Sequence, residues 1–194
     1  SSESTPAQYV SDTRIATGTT EAEIANKELI EKTNKFAKKT KGDPGFREGL
    51  KSKERALEKI NADYAGDASR LLDIAGSKVV YNTLDELYNA LKILNEEYEI
   101  LVFKDRIQNP LNGYRDVLTN IKMKNGHIVE FRLHLKEMDD IAEGIGHKLY
   151  EQQRSLEAIS KTRNLTKQEK IKISELRKKQ NELYENVWEK INKK

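Results

Sequence analysis

The chain has 194 residues, 35% of them charged and 36% hydrophobic, with a formal net charge of +3. Without cysteine, disulfide staples and thiolate metal sites are excluded, and the three scattered histidines form no zinc-ligand pattern. No apolar run approaches the ~20 residues a membrane-spanning helix needs, so no membrane partner is expected. The charge is unevenly placed: residues 161–194 carry eleven Lys/Arg against five Asp/Glu, a net of +6, which leaves the other 160 near −3. A basic end of this kind is either a solvated helix surface or a face for nucleic acid, phosphate-rich ligands or an acidic partner.

Residues 1–20, rich in Ser, Thr, Ala and Gly with Pro6, read as a loosely ordered lead-in or linker. The chain does not begin with Met, and a fragment of a longer protein is expected. Thr20 with Glu23 resembles a capping box opening a helix over about 21–39, with Ile24, Leu29, Ile30 and Phe36 on its apolar face. Lys41-Gly-Asp-Pro-Gly45 then breaks the chain, and 47–63 reads as a second helix striped by Leu50, Ala56, Leu57 and Ile60. Lys78 to Tyr81 is a short β-branched strand, and Leu84, Leu87, Leu91 and Leu94 give a helix of 3.6 period.

Three more strands follow. Ile100 to Phe103 is continuous and apolar, and Tyr114 to Met123 alternates through Val117, Thr119 and Ile121. Asn125-Gly126 marks a hairpin turn. His127 to Leu135 then sets Val129, Phe131, Leu133 and Leu135 on one face against Glu130, Arg132 and His134 on the other. Residues 137–160 and 166–192 read as helices, the second opened by a capping box at Thr166 and Glu169. The order predicts a mixed α+β fold: a central sheet of four or five strands flanked by helices. One catalytic domain spans about 21–160, and 161–194 forms a basic C-terminal helix, whose stripe of Ile173, Leu176, Leu183 and Val187 covers the domain's own core.

Four segments could carry chemistry. Lys51, Arg55 and Lys59 are four apart and share a helix face, where three cations would welcome an anion such as a triphosphate. Asp73, flanked by apolar residues at the start of a buried strand, needs a partner or a cation. A hard cation such as Mg²⁺ takes one or two carboxylates together with phosphate oxygens. Lys104 and Arg106 lead into a Pro/Asn/Gly loop ending at Tyr114, whose ring could stack on a base while the cations hold phosphates. Glu130 projects between cations and could bind a metal or take a proton from a hydroxyl. Each has an ordinary structural reading too: a solvated helix, a turn Asp, a polar hairpin, a salt-bridged sheet Glu.

Taken in order, these segments resemble the synthetase domain of the RelA/SpoT family, over about residues 45–155. They read Gly49-Leu-Lys-Ser52, Asp73-Ile-Ala-Gly76, Lys104 to Arg115, His127-Ile-Val-Glu130 and Ala142 to Tyr150. The resemblance implies a nucleotidyltransferase-like fold and transfer of pyrophosphate from ATP to a ribose hydroxyl of a purine nucleotide, with Mg²⁺. It implies Asp73 and Glu130 as metal-binding and catalytic acids, and Lys51, Ser52, Arg55, Lys59 and Lys78 on the ATP side. It implies Lys104, Arg106, Asn112, Tyr114, Arg115, Arg132 and His134 on the acceptor side. The sequence departs from the family at Gly49, where Arg is usual, so Arg47 or Arg55 would flank the adenine. It departs also at Lys78, Leu111, Asp116 and His134.

With no room for a hydrolase domain, the chain is similar to the synthetase-only forms, and to the toxin branch carried on secreted or phage-linked proteins. That branch implies action in the cytoplasm of a target or host bacterium and an immunity protein as partner. The alternatives are the same transfer onto the 3′ end of tRNA, and an inactive nucleotide- or RNA-binding module.

Overall fold

The computed structural model describes residues 21–47, 55, 58, 59 and 75–193. The lead-in over 1–20, the Thr20 cap and most of the 47–63 helix lie outside the described residues; Arg55, Glu58 and Lys59 within that stretch are helical.

Helix α1 (Glu21–Thr40) buries Ala22, Ala25, Leu29, Thr33, Phe36 and Ala37, a stripe at three- and four-residue spacing. It ends where Lys41 adopts a left-handed φ of 61° and the Gly42 N–H returns to the Ala37 carbonyl at 2.9 Å. The chain then enters β1 (Asp43–Phe46), a strand where the sequence reads only as a break. Pro44 is tolerated because, among the described strands, β1 stands at the edge of the sheet. Strand β2 (Gly76–Tyr81) and helix α2 (Leu84–Glu97) follow, the latter capped by the Thr83 side chain accepting from the Glu86 N–H. Then come β3 (Ile100–Asp105), β4 (Asp116–Lys122) and β5 (Ile128–Leu135).

The five strands form one mixed sheet in the order β1-β2-β5-β4-β3, with β2 and β5 parallel and the other pairs antiparallel. The alternation predicted for β5 sets the layers. Val129, Phe131, Leu133 and Leu135 are buried with Val79 and Tyr81 of β2 and Val117 and Ile121 of β4. Helix α1 seals this face: Phe36 meets Phe131 edge-on at 5.4 Å, and Thr33 hydrogen-bonds Ser77 at 2.8 Å.

Beyond the sheet, the single helix expected over 137–160 is two. Gly144, at φ −102° and ψ −115°, separates α3 (Lys136–Glu143) from α4 (Ile145–Ile159). Helix α5 (Lys167–Asn192) opens with the predicted Thr166/Glu169 capping box. Its buried positions are Ile173, Leu176, Gln180 and Tyr184, so Tyr184 takes the deep position next to Leu183. Gln180 donates to Gln153 of α4 at 2.7 Å, fixing α5 against α4.

Candidate active site

The second face of the sheet carries the polar residues, and the strand register arranges them in rows. Glu130 of β5 lies between Gly76 of β2 and Asn120 of β4. The next row is Lys78, Arg132 and Leu118, and the third is Val80, His134 and Asp116.

The first row is open. The Glu130 N–H donates to the Ala75 carbonyl at 3.0 Å, which ties the start of β2 to the catalytic-candidate strand. The Glu130 side chain keeps 14% of its surface exposed, and its Oε1 lies 3.2 Å from Arg132 Nε. That Nε has no aligned hydrogen bond, so the contact is an ion pair that leaves carboxylate lone pairs available. Gly76 is also close-packed: a Cβ there would sit 3.2 Å from Arg47 Nη2.

Above this row opens a cleft of about 1680 Å³. Glu130 and Arg132 line it with Arg47 from the end of β1 and Arg55, Glu58 and Lys59 from the helical segment. Tyr150, Arg154 and Glu157 of α4 and Lys170, Ile173, Ser174 and Arg177 of α5 line it too, joined by Lys161 from the connecting turn. Cations outnumber carboxylates along this lining, so the cleft suits a polyanion.

The third row is closed. Arg106 grips Asp116, with Nη2 to Oδ2 at 2.7 Å and a second contact through Nε. Burial opposes the Arg106 charge, and the Asp116 pairing overcomes it and raises the guanidinium pKa. His134 Nδ1 is 2.8 Å from Tyr114 Oη and 3.2 Å from Asp139 Oδ1. Its Nε2 lies 3.6 Å from Asp116 without a hydrogen bond. Burial lowers the His134 pKa, so the ring is neutral near pH 7 and the Asp116 contact is no ion pair there. Asp139 is surrounded by donors: Lys78 Nζ reaches both its oxygens, at 2.8 and 2.9 Å, and also Glu143. Burial would raise the Asp139 pKa, but the His134 and Lys78 hydrogen bonds hold it at about 2.

The sequence-predicted residues therefore divide. Glu130, Arg132, Arg55 and Lys59 share the cleft. Lys51, Ser52 and Asp73 lie outside the described residues; in sequence Asp73 precedes Ala75, the partner of Glu130, by two positions. Lys78 is expected on the ATP side, yet its ammonium is taken by Asp139 and Glu143. Lys104 is exposed on β3, and Asn112 occupies a turn at φ 49°.

Tyr114 is expected to stack on a base, and its ring is partly exposed beside several neighbours. Arg106 sits 5.6 Å over it, Tyr184 of α5 meets it at 5.4 Å, and burial pushes its hydroxyl pKa well up. Arg115 is likewise committed to the Ile107 carbonyl, to Glu185 at 3.1 Å and to the Trp188 ring at 4.4 Å. Sequence reasoning missed Asp139 and the α4–α5 cations. The Tyr150/Arg154 and Lys170/Ser174/Arg177 spacings are helical, but nothing in them names the cleft they face.

The chain belongs to the RelA/SpoT family: the sequence profile of the region found in RelA/SpoT proteins matches residues 48–156, more than half of the chain. It is 28% identical over 142 residues to GTP pyrophosphokinase rsh of Brucella melitensis, covering 63% of this chain and 18% of that protein. It is 29% identical over 136 residues to the (p)ppApp synthetase toxin Tas1 of Pseudomonas aeruginosa, covering 57% of this chain and 30% of that protein. The chain thus spans less than a third of either relative. The fold matches the crystal structure of small alarmone synthetase 2 from Bacillus subtilis, with TM-score 0.63 and 23% identity over 88% of this chain and 94% of that one. It also matches the Type VI effector Tas1, solved with its immunity protein, with TM-score 0.61 and 23% identity over 87% and 93%.

Proposed function

We propose that this domain is a nucleotide pyrophosphokinase, transferring the β,γ-pyrophosphate of ATP to a ribose hydroxyl of a purine nucleotide. The observation that carries the reading is Glu130, a carboxylate on the floor of a cation-lined cleft in a chain of the RelA/SpoT family. Arg55 and Lys59, with Lys51 and Ser52 preceding them in sequence, hold the donor phosphates, and Arg47 or Arg55 lies along the adenine. The acceptor oxygen attacks the β-phosphorus, the bond from that phosphorus to the α,β-bridging oxygen breaks, and AMP leaves. Glu130 takes the hydroxyl proton. Arg132, Arg55 and Lys59 offset the negative charge that grows on the phosphate oxygens.

Glu130 also suits Mg²⁺, since a hard cation of this kind needs only one or two carboxylates beside phosphate oxygens and the Glu130 oxygens face the cleft. Glu130 and Asp73 would hold the ion, which when bound supplies Lewis-acid neutralisation of the phosphates.

In the same reading the domain is a growth-inhibiting toxin acting in the cytoplasm of a target or host bacterium, and an immunity protein is its partner. The relation to Tas1 supports this. The alternative acceptor is the 3′ end of tRNA, favoured by the exposed Lys167, Lys170 and Lys178 side of α5.

The test is incubation with ATP and, separately, ADP, GDP and deacylated tRNA, with products separated by chromatography. AMP and one pyrophosphorylated acceptor are expected. Absence of AMP with every acceptor would refute the enzyme reading.

A further inference from the structure

Three positions where this sequence departs from its family, Lys78, Asp116 and His134, converge in one buried polar chain. Lys78 holds both oxygens of Asp139 at 2.8 and 2.9 Å. Asp139 lies 3.2 Å from His134 Nδ1, and Asp116 lies 3.6 Å from His134 Nε2.

His134 stands at the centre. Its side chain is 2% exposed, and among the described residues its Nε2 has no hydrogen bond. A buried polar atom without a partner is unfavourable, and an apolar side chain of similar size, such as Leu, would leave none. What the imidazole provides instead is Nδ1, hydrogen-bonded to Tyr114 Oη at 2.8 Å. Asp139, fixed by Lys78, sits against the same nitrogen, so the His134 ring has little freedom to turn.

The rest of the row bears on the Tyr114 ring. Arg106, paired with Asp116, lies 5.6 Å over it, and Tyr184 meets it edge-on at 5.4 Å, while part of the ring stays exposed. The Tyr114 hydroxyl lies on the axis about which the ring turns. The His134 bond therefore fixes where that axis points, and Arg106 and Tyr184 fix the turn about it. A base stacks on an aromatic face, so the stack is only as well aimed as the ring. His134 is on the sheet face of Glu130, four residues along β5.

We propose that His134 is the positioning residue of Tyr114, holding its hydroxyl so that the exposed part of the ring is presented to the base of the acceptor nucleotide. The inference rests on the transfer proposed above, with Tyr114 on the acceptor side as the family resemblance implies. His134 touches no substrate and acts through the ring.

Calorimetry on the full chain tests it with no turnover required: ADP or GDP is titrated into protein saturated with a non-hydrolysable ATP analogue. His134→Leu and Tyr114→Phe each weaken this second binding about fivefold, the size of one hydrogen bond, and leave the affinity for the ATP analogue within about twofold. The double variant is no worse than either single one, because both remove the same bond. His134→Asn sets an amide near the place of Nδ1 and binds ADP or GDP within about twofold of wild type, although the space it leaves lowers its melting temperature. A purely structural role would instead make binding follow stability. If His134→Leu does not fold, Tyr114→Phe and His134→Asn decide. Unchanged binding in Tyr114→Phe, losses that add in the double variant, or no second nucleotide bound by wild type overturns the proposal. If the expected binding pattern holds but ATP yields no AMP with any acceptor, the positioning role stands and the transfer reading alone fails.

Discussion

Arg132 Nε stands 3.2 Å from Glu130 Oε1, two residues along the same strand and on the same face of the sheet. A strand sets alternate residues on one side, so this pairing follows from sequence spacing once β5 forms. It places a fixed positive charge beside the proposed proton acceptor and leaves the second carboxylate oxygen to the cleft. The strand is rigid, with neighbours on both sides, which is the usual requirement for a precisely held reacting group.

Glu130→Gln keeps shape and hydrogen-bonding capacity but cannot accept a proton. Turnover is expected to fall by at least about 100-fold, the range for loss of a general base. ATP affinity in calorimetry stays within a few-fold. Turnover near wild type would remove Glu130 from its role.

How much of this was legible beforehand depends on whether the signal was local. The face carrying Glu130, Arg132 and His134 follows from β5 alternation, and the α5 start follows from Thr166 and Glu169. Strand β1 was hidden because Asp43-Pro-Gly-Phe46 has turn chemistry, and only pairing with β2 makes it a strand. The helix break at Gly144 was missed because a single Gly is tolerated in helical patterns. The contact of Tyr114 with Tyr184 joins residues far apart in the chain, and no spacing rule reaches it. The expectation that Lys78 faces ATP meets the same limit: its partners Asp139 and Glu143 sit on a helix whose docking is tertiary.

The Lys78–Asp139 pair is mostly withdrawn from water, with side-chain exposures of 16% and 10%. Lys78→Met leaves the carboxylate short of a partner and should cost about 1–3 kcal/mol in urea unfolding. Adding Asp139→Asn removes the stranded charge, so the double variant is expected to be more stable than the sum of the single losses predicts. Strict additivity would show that the two groups are not coupled.

Acid should act on this network in two stages. Burial lowers the His134 pKa, so the unfolded chain takes up that proton first, and stability falls as pH drops below about 6.5. Asp139 is depressed from 3.8 to about 2, so its contribution is present above about 4 and lost as pH falls toward 2. The second stage amounts to about 2 kcal/mol at one pKa unit per 1.36 kcal/mol. Unfolding curves from pH 7 to pH 2 should show the gap between wild type and Asp139→Asn narrowing below pH 4. A gap constant across that range would reject the assignment.

The α4–α5 spacing that sets one side of the cleft depends on Gly146. A Cβ there would run into Tyr184 Oη and would lie 2.9 Å from both Tyr184 Cζ and the Ile141 carbonyl. Tyr184 is only 4% exposed and is packed on Tyr114, so it has little freedom to withdraw. Gly146→Ala is therefore expected to cost about 1–3 kcal/mol, the usual penalty of overpacking. Tyr184→Phe removes the oxygen that collides and should recover part of the loss when combined with Gly146→Ala. Wild-type melting temperature in Gly146→Ala would mean that α4 and α5 are not held by this contact.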